Sequence, residues 1–385
     1  MRVVVHKYGG SSVKDIQKIK AVARQVAETH KAGMRVVVVV SAMGNSTNEL
    51  LELAHQASPT PSRREMDMLV SVGERISMTL LSMAINQLGV PAQSFTGSQS
   101  GIITDESHSN ARIVAVRPFR VRQALQEGKV AIVAGFQGVS RDKEVTTLGR
   151  GGSDTTAVAL AAALDAEWCE IHSDVPGVFS ADPRAVPEAI QLESMSLDEA
   201  LNMARNGAQI LHDESIAFAL REGIELVASS ADGTTPGTRI QVAPLPSRVT
   251  AIVADAQLEC FEGDSGDGLL TALEKAKAPI RSLHDHEIVV DLRNWHDRES
   301  FKIPKGAQTL GPICQICAVG IGIGTSLTHL RLGTEALRHA NIEIQSQRSL
   351  PDRLSWWISP KDSQAAQRCL HLIFIESENI LEGSA

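Results

Sequence analysis

The chain of 385 residues has few aromatic side chains and no excess of positive charge. Phe, Trp and Tyr make up 3% of it, with a single Tyr, so few rings are available to stack on nucleic-acid bases. Lys and Arg number 37 against 45 acidic residues, a formal net charge of -8. Because no basic field is available to attract a phosphate backbone, nucleic acid is not an expected partner. The cores must be built from aliphatic residues, which favours α/β packing.

Membrane and export signals are also missing from the sequence. The longest apolar run of the first half, Val36–Val40, has the length of a strand and falls far short of the roughly 20 residues that cross a bilayer. The amino terminus meets His6 and Lys7 after a short valine run, so it lacks the apolar region of a secretory signal. Five scattered cysteines fit reduced thiols better than a disulfide framework. We therefore expect a cytoplasmic protein with no membrane partner.

Cys314 and Cys317 form a single C-x-x-C pair. Without a second cysteine pair or a histidine cluster nearby, this spacing is a weak zinc signal. Ile313, Ile316 and Val319 surround the two thiols in an apolar strand pattern. We predict that both cysteines belong to a core, and we predict no metal-ligand set in the chain.

The first 240 or so residues alternate short β-branched runs with helical patterns. Val3–Val5 precedes Gly9 and Gly10, after which apolar residues recur at helical spacing up to Gly33. Further buried strands are predicted at Arg35–Ser41, Lys129–Ala134 and Trp168–His172. This rhythm predicts an α/β domain over residues 1–242, with a mostly parallel central sheet sandwiched by helices.

A segment with two prolines, residues 243–247, marks the best candidate linker, because proline opposes both helix and sheet interiors. Beyond it the units become shorter, each with a strand, a helix and then paired strands. This pattern occurs twice and predicts two α+β, ferredoxin-like βαββαβ modules, 247–310 and 311–378. The first module is short and charged.

Neither a P-loop nor the H-R-D loop of protein kinases is present, so any phosphate site must be built differently. One candidate is the run Lys7-Tyr8-Gly9-Gly10-Ser11-Ser12 at the end of the first strand. There an ammonium, two permissive glycines and the free amides of a following helix would converge on an anion. Taken alone, paired glycines after a strand indicate only a tight turn.

A second glycine-rich run, Leu148 to Thr155, opens another predicted helix. Its three glycines allow the backbone to approach a ligand, Arg150 could bind a carboxylate with both arms, and Asp154 could orient cationic groups around a phosphoryl group. Asp154 alone could equally be a helix N-cap. The whole string is harder to explain as a cap beside a loop.

Taken together, these motifs resemble the aspartokinases of the amino-acid kinase superfamily. The resemblance rests on five runs in the family's order and spacing: Lys7–Ser12, Ser41–Gly44 with Thr47, Val72–Arg75, Thr147–Asp154, and Ser173–Phe179 with Ala181–Arg184. It covers the amino-terminal two thirds closely. The carboxy-terminal third is more loosely similar to the tandem ACT modules of aspartokinases, and its candidate effector stretches are 263–268 and 320–326. The resemblance implies the amino-acid kinase fold.

The resemblance assigns a role to each of these residues. It implies that Lys7 and Asp154 are catalytic. It implies an aspartate site formed by Ser41, Thr47, Glu74, Arg150, Gly151, Gly152 and Ser153. It implies an ATP site formed by Lys7, Tyr8, Gly9, Gly10, Ser11, Ser173, Asp174, Phe179, Asp182, Arg184, Gln209 and Ile210.

Two positions depart from the family pattern. Phe179 stands where most members carry Tyr, which removes a hydroxyl but keeps apolar contact. Gln209 replaces a lysine that faces the ATP phosphates in the usual sequence. Since a charge-assisted hydrogen bond is about twice as strong as a neutral one, we expect weaker nucleotide binding or slower turnover.

The resemblance implies ATP-dependent phosphorylation of the side-chain carboxylate of L-aspartate to 4-phospho-L-aspartate, with Mg²⁺, as the first step of lysine, threonine and methionine biosynthesis. It also implies a lysine or threonine effector at the ACT-like modules and a homodimer or larger assembly. Glutamate, acetylglutamate and uridylate kinases share the fold and remain alternatives. A catalytically weak or silent amino-acid sensor is the alternative from another class.

Overall fold

The computed structural model describes residues 2–233, 236–242, 248–263, 268–284, 286–293, 295 and 298–377. The chain divides into two compact units. Unit 1 contains residues 1–178, 191–201 and 209–243, and unit 2 contains residues 179–190, 202–208 and 244–385. The predicted linker, 243–247, lies outside the described residues. The domain limits predicted from the sequence therefore stay a prediction.

Unit 1 contains two sheets. Its strands are β1 (Val3–Tyr8), β2 (Arg35–Val40), β3 (Ala92–Phe95), β4 (Ile102–Thr104), β5 (Ile113–Val116), β6 (Val130–Ala134), β7 (Gln137–Val139), β8 (Val145–Thr147), β9 (Trp168–Ser173), β10 (Ser194–Ser196), β11 (Leu226–Ser230) and β12 (Thr238–Gln241). The main sheet has the order β10-β12-β11-β9-β1-β2-β6-β3, and the smaller one has the order β5-β4-β7-β8. In the main sheet every neighbouring pair is parallel except β11 and β12. β1 and β2 are valine-rich and almost wholly buried, as parallel strands covered on both faces must be.

Helices separate these strands along the chain. They are α1 (Ile16–Lys31), α2 (Ser46–Ala57), α3 (Arg63–Val70), α4 (Val72–Gln87), α5 (Phe119–Gln126), α6 (Gly152–Ala163), α7 (Leu197–Arg205), which has residues in both units, and α8 (Asp213–Glu222). Asp15 begins α1 by accepting a hydrogen bond from the Lys18 N–H at 2.8 Å. The apolar face of α1 is buried, and the helix ends just before Gly33, whose φ is +94°. This confirms the predicted strand, turn and helix.

The helical stretch Arg63–Gln87, which spans α3 and α4, is long and apolar enough to cross a membrane by length and composition. It is the only such stretch among the residues that the structure describes. Half of its most apolar window, 50%, is buried inside the protein. The core helix of a soluble protein has the same properties, so this stretch is weak evidence for a membrane span.

Unit 2 is built on one antiparallel sheet. Its strands are β13 (Ala251–Gly263), β14 (Ile280–His284), β15 (Glu287–Asp291), β16 (Ala307–Val319), β17 (Ser346–Leu350) and β18 (Arg353–Ile358), and its helices are α9 (Gly268–Lys275), α10 (Leu327–His339) and α11 (Ser363–His371). The strand order is β14-β15-β13-β16-β18-β17. The long strands β13 and β16 pair at the centre. The fold class predicted for this part, ferredoxin-like α+β, is confirmed.

The two modules differ from separate βαββαβ folds in two respects. Each contributes three strands, and the central strand of the other module supplies its fourth neighbour. After β15 the described residues hold only a 3-10 turn, Arg298–Ser300, where the pattern predicts a second helix. A shared sheet removes two exposed strand edges, which is a physical reason for this arrangement.

Cys314 and Cys317 lie on β16 within this sheet. Both are fully buried free thiols, and burial raises the pKa of each to about 11. The prediction that they belong to the core is confirmed. Cys314 packs beside Ile316 and Trp356 under α10 and α11. Cys317 lies on the other face of the strand, where its Sγ is 3.2 Å from the Ser355 hydroxyl.

Candidate active site

The order of the main sheet reverses at β1. The chain continues from β1 to β2 on one side, and β9 lies on the other. In open parallel sheets, ligands bind outside the carboxyl ends of the strands at such a reversal. Register pairs Tyr8 with both Val40 and His172, so β1, β2 and β9 end together. The motifs that follow these strands are therefore brought together at one edge.

Lys7 and Asp154, the two predicted catalytic residues, are in contact. The Lys7 Nζ and the Asp154 Oδ1 are 2.6 Å apart, and the side chains are only 12% and 13% exposed. Asp154 lies in the first turn of α6, whose N-cap is Gly151, so Asp154 is not the cap. A lysine ammonium has three donors, and the ion pair fixes its position while leaving donors for an anion.

The glycine turn after β1 approaches the turn after β2 very closely. A Cβ added to Gly10 would lie 2.9 Å from the Ala42 carbonyl oxygen, so this approach requires glycine. The Gly44 N–H donates to the Gly10 carbonyl at 3.1 Å. Ser11 is exposed, as a phosphate contact requires. Ser12, which received no role from the sequence, is buried, and its Oγ has no hydrogen-bond partner in the described part of the chain.

Tyr8 lies differently from the rest of its motif. Its ring is buried in the core beneath α1 and stacks on the His172 ring, with the centroids 4.3 Å apart. Its hydroxyl donates to the Gln25 Oε1 at 3.4 Å, and its carbonyl accepts from the Ser41 N–H at 3.1 Å. Any contact of Tyr8 with a nucleotide would therefore be made by its backbone.

Glu74 is the most unusual of the predicted substrate residues. It lies in the first turn of α4 and is only 3% exposed. Its Oε1 accepts a hydrogen bond from the Ala42 N–H at 3.1 Å, while its Oε2 is buried with no hydrogen-bond partner among the described residues. Burial raises the pKa of Glu74 to about 7. A buried carboxylate oxygen without a partner is costly, and a ligand cation would satisfy it.

Ser41 and Thr47 flank the same turn. Ser41 follows β2, and its carbonyl accepts from the Ser77 hydroxyl at 2.7 Å, which ties the turn to α4. Thr47 is half-buried near the start of α2. A Cβ on Gly73 would lie 2.7 Å from the Ala42 Cβ, so α4 packs directly on this turn and carries Glu74 to it.

The glycine-rich loop before α6 depends on glycine conformations. Gly149 and Gly151 have φ of +76° and +68°, which disfavour other residues. A Cβ on Gly151 would lie 2.1 Å from the His212 ring. Gly152 and Ser153 are buried at the start of α6, while Arg150 is exposed at the tip of the loop. The loop thus presents Arg150 and backbone beside the Lys7–Asp154 pair.

The predicted nucleotide residues fall in both units. In unit 1, Ser173 ends β9 and the exposed Asp174 follows it. Gln209, which is exposed, and Ile210 precede α8. The other three, Phe179, Asp182 and Arg184, belong to unit 2.

In unit 2, the Arg184 Nη2 and the Asp182 Oδ2 form an ion pair at 2.8 Å. The nucleotide role of all seven residues stays a prediction.

Asp67, on α3, is a further residue that shapes this site, and no sequence motif indicates it. This carboxylate is 1% exposed and accepts hydrogen bonds from the Thr147 hydroxyl at 2.6 Å and the Ser109 N–H at 3.0 Å. Its other oxygen lies 2.7 Å from the His108 Nδ1. Asp67 therefore anchors the end of β8, from which the glycine-rich loop departs. An Asp in an amphipathic helix gives no local sign of this role.

Comparison with known proteins is consistent with this geometry. The Amino acid kinase family matches residues 2–227. The aspartokinase of Corynebacterium glutamicum is 44% identical, over 96% of this chain and 96% of that protein. The aspartokinase of Thermus thermophilus is 46% identical over 66% of this chain and 64% of its own length.

Solved structures show the same relation. Aspartate kinase from Synechocystis is 34% identical, with a TM-score of 0.58, over 97% of this chain and 69% of that one. E. coli aspartokinase III in complex with aspartate and ADP has the same fold, with a TM-score of 0.81 at 21% identity, over 96% of this chain and 99% of that one. On this evidence the chain belongs to the aspartokinases, within the amino acid kinase family.

Proposed function

We propose that this aspartokinase transfers the γ-phosphoryl group of ATP to the side-chain carboxylate of L-aspartate, giving 4-phospho-L-aspartate and ADP, through the site at the carboxyl end of β1. The observation that carries the site assignment is the Lys7–Asp154 ion pair at the reversal of the strand order. E. coli aspartokinase III, which has the same fold, is known in complex with aspartate and ADP.

The chemistry needs little from acid–base groups. A carboxylate oxygen of aspartate attacks the γ-phosphorus while the bond from that phosphorus to the bridging oxygen of ADP breaks, and no proton moves. Because a carboxylate is ionised at neutral pH, no general base is required. Catalysis then rests on positioning and on neutralising phosphoryl charge. Lys7 would supply that charge, held in place by Asp154.

Mg²⁺ would accompany ATP. This ion takes oxygen ligands and usually binds through one or two carboxylates together with substrate phosphates. Asp154 is a carboxylate at the strand ends beside the proposed phosphate cradle, so the donor set fits, and Asp154 is the residue that would hold the ion. When bound, Mg²⁺ neutralises charge on the phosphate oxygens.

The aspartate site would be formed around Glu74. The unpartnered Glu74 Oε2 is placed to accept from the substrate ammonium, while Arg150 would bind a substrate carboxylate. Ser41 and Thr47 flank the turn that receives the Glu74 hydrogen bond, and Gly151–Ser153 would line the acceptor side. A site that pairs an ammonium and a carboxylate favours an amino acid over uridylate.

The nucleotide would lie over Gly9, Gly10 and Ser11, with Lys7 at its phosphates and the backbone of Tyr8 at the strand end. Within unit 1, Ser173, Asp174 and Ile210 would complete its site. Gln209 is exposed and neutral, so its amide can donate one ordinary hydrogen bond to phosphate in place of a charge-assisted one. This is the feature that favours the weak or silent sensor as the second candidate.

Purified full-length protein with Mg²⁺-ATP and aspartate tests the proposal, with ADP release measured and the acyl phosphate trapped as its hydroxamate. We expect hydroxamate that depends on aspartate and is not formed with glutamate. Lys7→Ala should lower kcat by about 100-fold or more, because a charge that stabilises the transferring group is lost. Lys20→Ala, which removes an exposed lysine on α1, is the matched control and should retain activity.

Two results would contradict the proposal. Equal turnover with acetylglutamate or uridylate would mean that aspartate is not the specific acceptor and that the chain acts as another kinase of the superfamily. Folded protein that makes no hydroxamate, but that becomes active on Gln209→Lys, would identify the chain as a sensor with a decayed catalytic site.

The broader setting is proposed from the same family membership. The reaction opens lysine, threonine and methionine biosynthesis, in the cytoplasm, in a catalytic domain of residues 1–242 followed by ACT-like modules at 247–310 and 311–378. E. coli aspartokinase III is known in complex with lysine and aspartate in its T-state. We propose a lysine or threonine effector at the turn 320–326 and a homodimer or larger assembly, which equilibrium dialysis and sedimentation test directly. Of the other predicted effector stretch, residues 264–267 lie outside the described residues.

A further inference from the structure

A second cluster of polar side chains lies on the face of the main sheet away from Lys7. Because side chains alternate along a strand, His6 points away from the face that carries Lys7. Register pairs His6 on β1 with Glu170 on β9, and His172 on β9 with Ser229 on β11. Paired residues of neighbouring strands share a face, so the topology itself gathers these four side chains.

The distances within this cluster are close to those of a ligand set. The His6 Nδ1 lies 2.9 Å from the His172 Nε2 and 3.8 Å from the Glu170 Oε2. The His6, Glu170 and His172 ligand atoms all lie within 4.8 Å of one another, and they form the only such group of three among the described residues. Two imidazole nitrogens and a carboxylate oxygen are a common protein donor set for Zn²⁺.

A second layer of contacts orients these groups. The Ser229 hydroxyl lies 3.0 Å from the His172 Nδ1 and donates to the Glu170 Oε1 at 2.8 Å. In metal sites a ligating histidine almost always makes such a bond through its other ring nitrogen. The Tyr8 ring stacks on His172 at an interplanar angle of 5°, which holds the imidazole plane.

The cluster is deeply buried and incompletely satisfied. His6 and His172 are 7% and 6% exposed, and the His6 Nε2 has no hydrogen-bond partner within the described ranges. Two ring nitrogens that face each other have room for one proton between them. A metal ion would replace that proton and lie to one side of the line that joins the two nitrogens. Glu170 is 21% exposed at its side chain, which leaves an entry route from solvent.

We propose that His6, Glu170 and His172 bind a divalent transition-metal ion of the Zn²⁺ class, with Ser229 orienting two of the ligands. In a tetrahedral Zn²⁺ complex the two nitrogens stand about 3.3 Å apart, so the rings need to separate by only a few tenths of an ångström. The ion would tie β1 to β9 behind the Lys7 face. Because imidazole donors suit Zn²⁺, Co²⁺ and Ni²⁺ rather than Mg²⁺, this site is separate from any Mg²⁺ that accompanies ATP. The inference does not depend on the proposed kinase activity.

Metal titration of chelator-treated, full-length protein tests the site. Zn²⁺ affinity is measured by competition with a chromogenic chelator, and Co²⁺ binding by its visible absorption. We expect one ion per chain and a Co²⁺ spectrum without a thiolate charge-transfer band, since the five cysteines take no part. His6→Gln and Glu170→Gln should each weaken Zn²⁺ binding at least 100-fold, and Ser229→Ala should weaken it roughly 10- to 100-fold. His55→Gln, at an exposed histidine on α2, is the matched control and should leave binding unchanged.

Three results would overturn the proposal. Failure of the unmodified protein to bind Co²⁺ or Zn²⁺ would mean that the cluster is a hydrogen-bonded histidine pair and no more. Equal affinity in the unmodified protein and the His6→Gln and Glu170→Gln variants would place the ion elsewhere, as would a thiolate band. If His6→Gln does not fold, the Ser229→Ala variant and the spectrum of the unmodified protein still decide the question.

Discussion

Glu74 shows how much one side chain depends on its surroundings. On the surface it would be an ordinary charged residue of a helix, and only the resemblance carried by the run Val72–Arg75 implies a role for it. In the structure it is buried against the turn after β2, with one oxygen bonded to the Ala42 N–H and the other without a partner in the described residues. Burial raises its pKa to about 7, so its charge changes within the physiological range.

The pH dependence of aspartate binding should therefore follow Glu74. Because the ammonium of aspartate needs the ionised carboxylate, kcat/KM for aspartate should fall about tenfold per pH unit below about pH 7 and level off above it. The profile is measured at saturating Mg²⁺-ATP, so that titration of the nucleotide does not contribute. Glu74→Gln should lower kcat/KM by roughly 30-fold at pH 8, since about 2 kcal/mol of charged hydrogen bonding is lost, and should flatten the profile. A profile that keeps the same bend in Glu74→Gln would assign it to another group.

The same ionisation affects stability. The folded-state pKa of Glu74 is raised above its unfolded value of 4.5, so its favourable contribution is complete below about pH 4.5 and is lost as the pH rises through about 7. Binding of an ammonium ligand should reverse this loss. Aspartate should therefore raise the unfolding temperature more at pH 8 than at pH 6.

Gln209 stands where the resemblance to aspartokinases implies a lysine that faces the ATP phosphates. Replacing it with lysine should restore a charge-assisted bond to the ATP phosphates. We expect the KM for ATP to fall about fivefold in Gln209→Lys, which corresponds to about 1 kcal/mol. Gln209→Ala is the neutral comparison and should raise the KM slightly. Identical KM values in all three proteins would mean that residue 209 does not face the phosphates.

At the scale of elements, α3 positions the glycine-rich loop without contributing to it. Asp67 accepts hydrogen bonds from Ser109 and Thr147 and contacts His108, so one buried carboxylate joins α3, β8 and the loop before β5. Gly149 and Gly151, which both have a positive φ, then let the chain turn tightly between β8 and α6. The position of Arg150 and Asp154 thus depends on a residue far from both in sequence.

Asp67→Ala should destabilise the protein by about 3 kcal/mol, because several donors lose their buried acceptor at once. It should also raise the KM for aspartate, since the end of β8 loses its anchor. Urea denaturation and steady-state kinetics measure the two effects. Thr147→Val removes one of the same hydrogen bonds while keeping the shape, and should cost only about 1 kcal/mol. Equal losses in both variants would show that the carboxylate is not the anchor.

At the scale of the whole molecule, each unit has a core of its own. The core of unit 1 lies between α1, α4 and the valine strands, while unit 2 has cores on its six-stranded sheet. Unit 2 also contains a buried network in which Arg281 and Arg293 both contact Asp255 and Asp291. Burial alone would raise the pKa of Asp291, but hydrogen bonds from Arg293 and the charges of Arg293 and Arg281 outweigh it, and the net pKa is lowered. Stability from Asp291 is therefore present above about pH 4 and is lost at lower pH.

Breaking this network should destabilise unit 2 strongly. Asp255→Ala leaves two half-buried guanidinium groups short of an acceptor and should cost about 3 kcal/mol. Glu335→Ala breaks the exposed Arg331–Glu335 pair of the same unit and should cost less than about 0.5 kcal/mol. Calorimetry of both variants, with aspartate-dependent activity measured in parallel, provides the test. Similar transition temperatures in both would show that the network adds no stability.

Local sequence determined a large part of this protein. The valine runs, their glycine turns and the amphipathic helices follow from short-range patterns, and the strand and helix from Val3 to Lys31 lie where those patterns place them. The resemblance to aspartokinases could be recognised from short motifs that occur in the family's order and spacing. The amino-acid sequence predicts features that depend on neighbouring residues, because the hydrophobic period and the turn chemistry act locally.

Tertiary structure alone decided which of these motifs meet. Lys7 and Asp154 are in contact because β1 and the start of α6 converge at one sheet edge, although 146 residues separate them in the chain. The unpartnered oxygen of Glu74, the anchoring by Asp67 and the His6–Glu170–His172 cluster likewise arise from strand register and helix packing. The small sheet of unit 1 and the shared sheet of unit 2 are also features that only the tertiary structure decided. Such features depend on burial and on long-range pairing, and no local pattern encodes which buried polar groups will face each other.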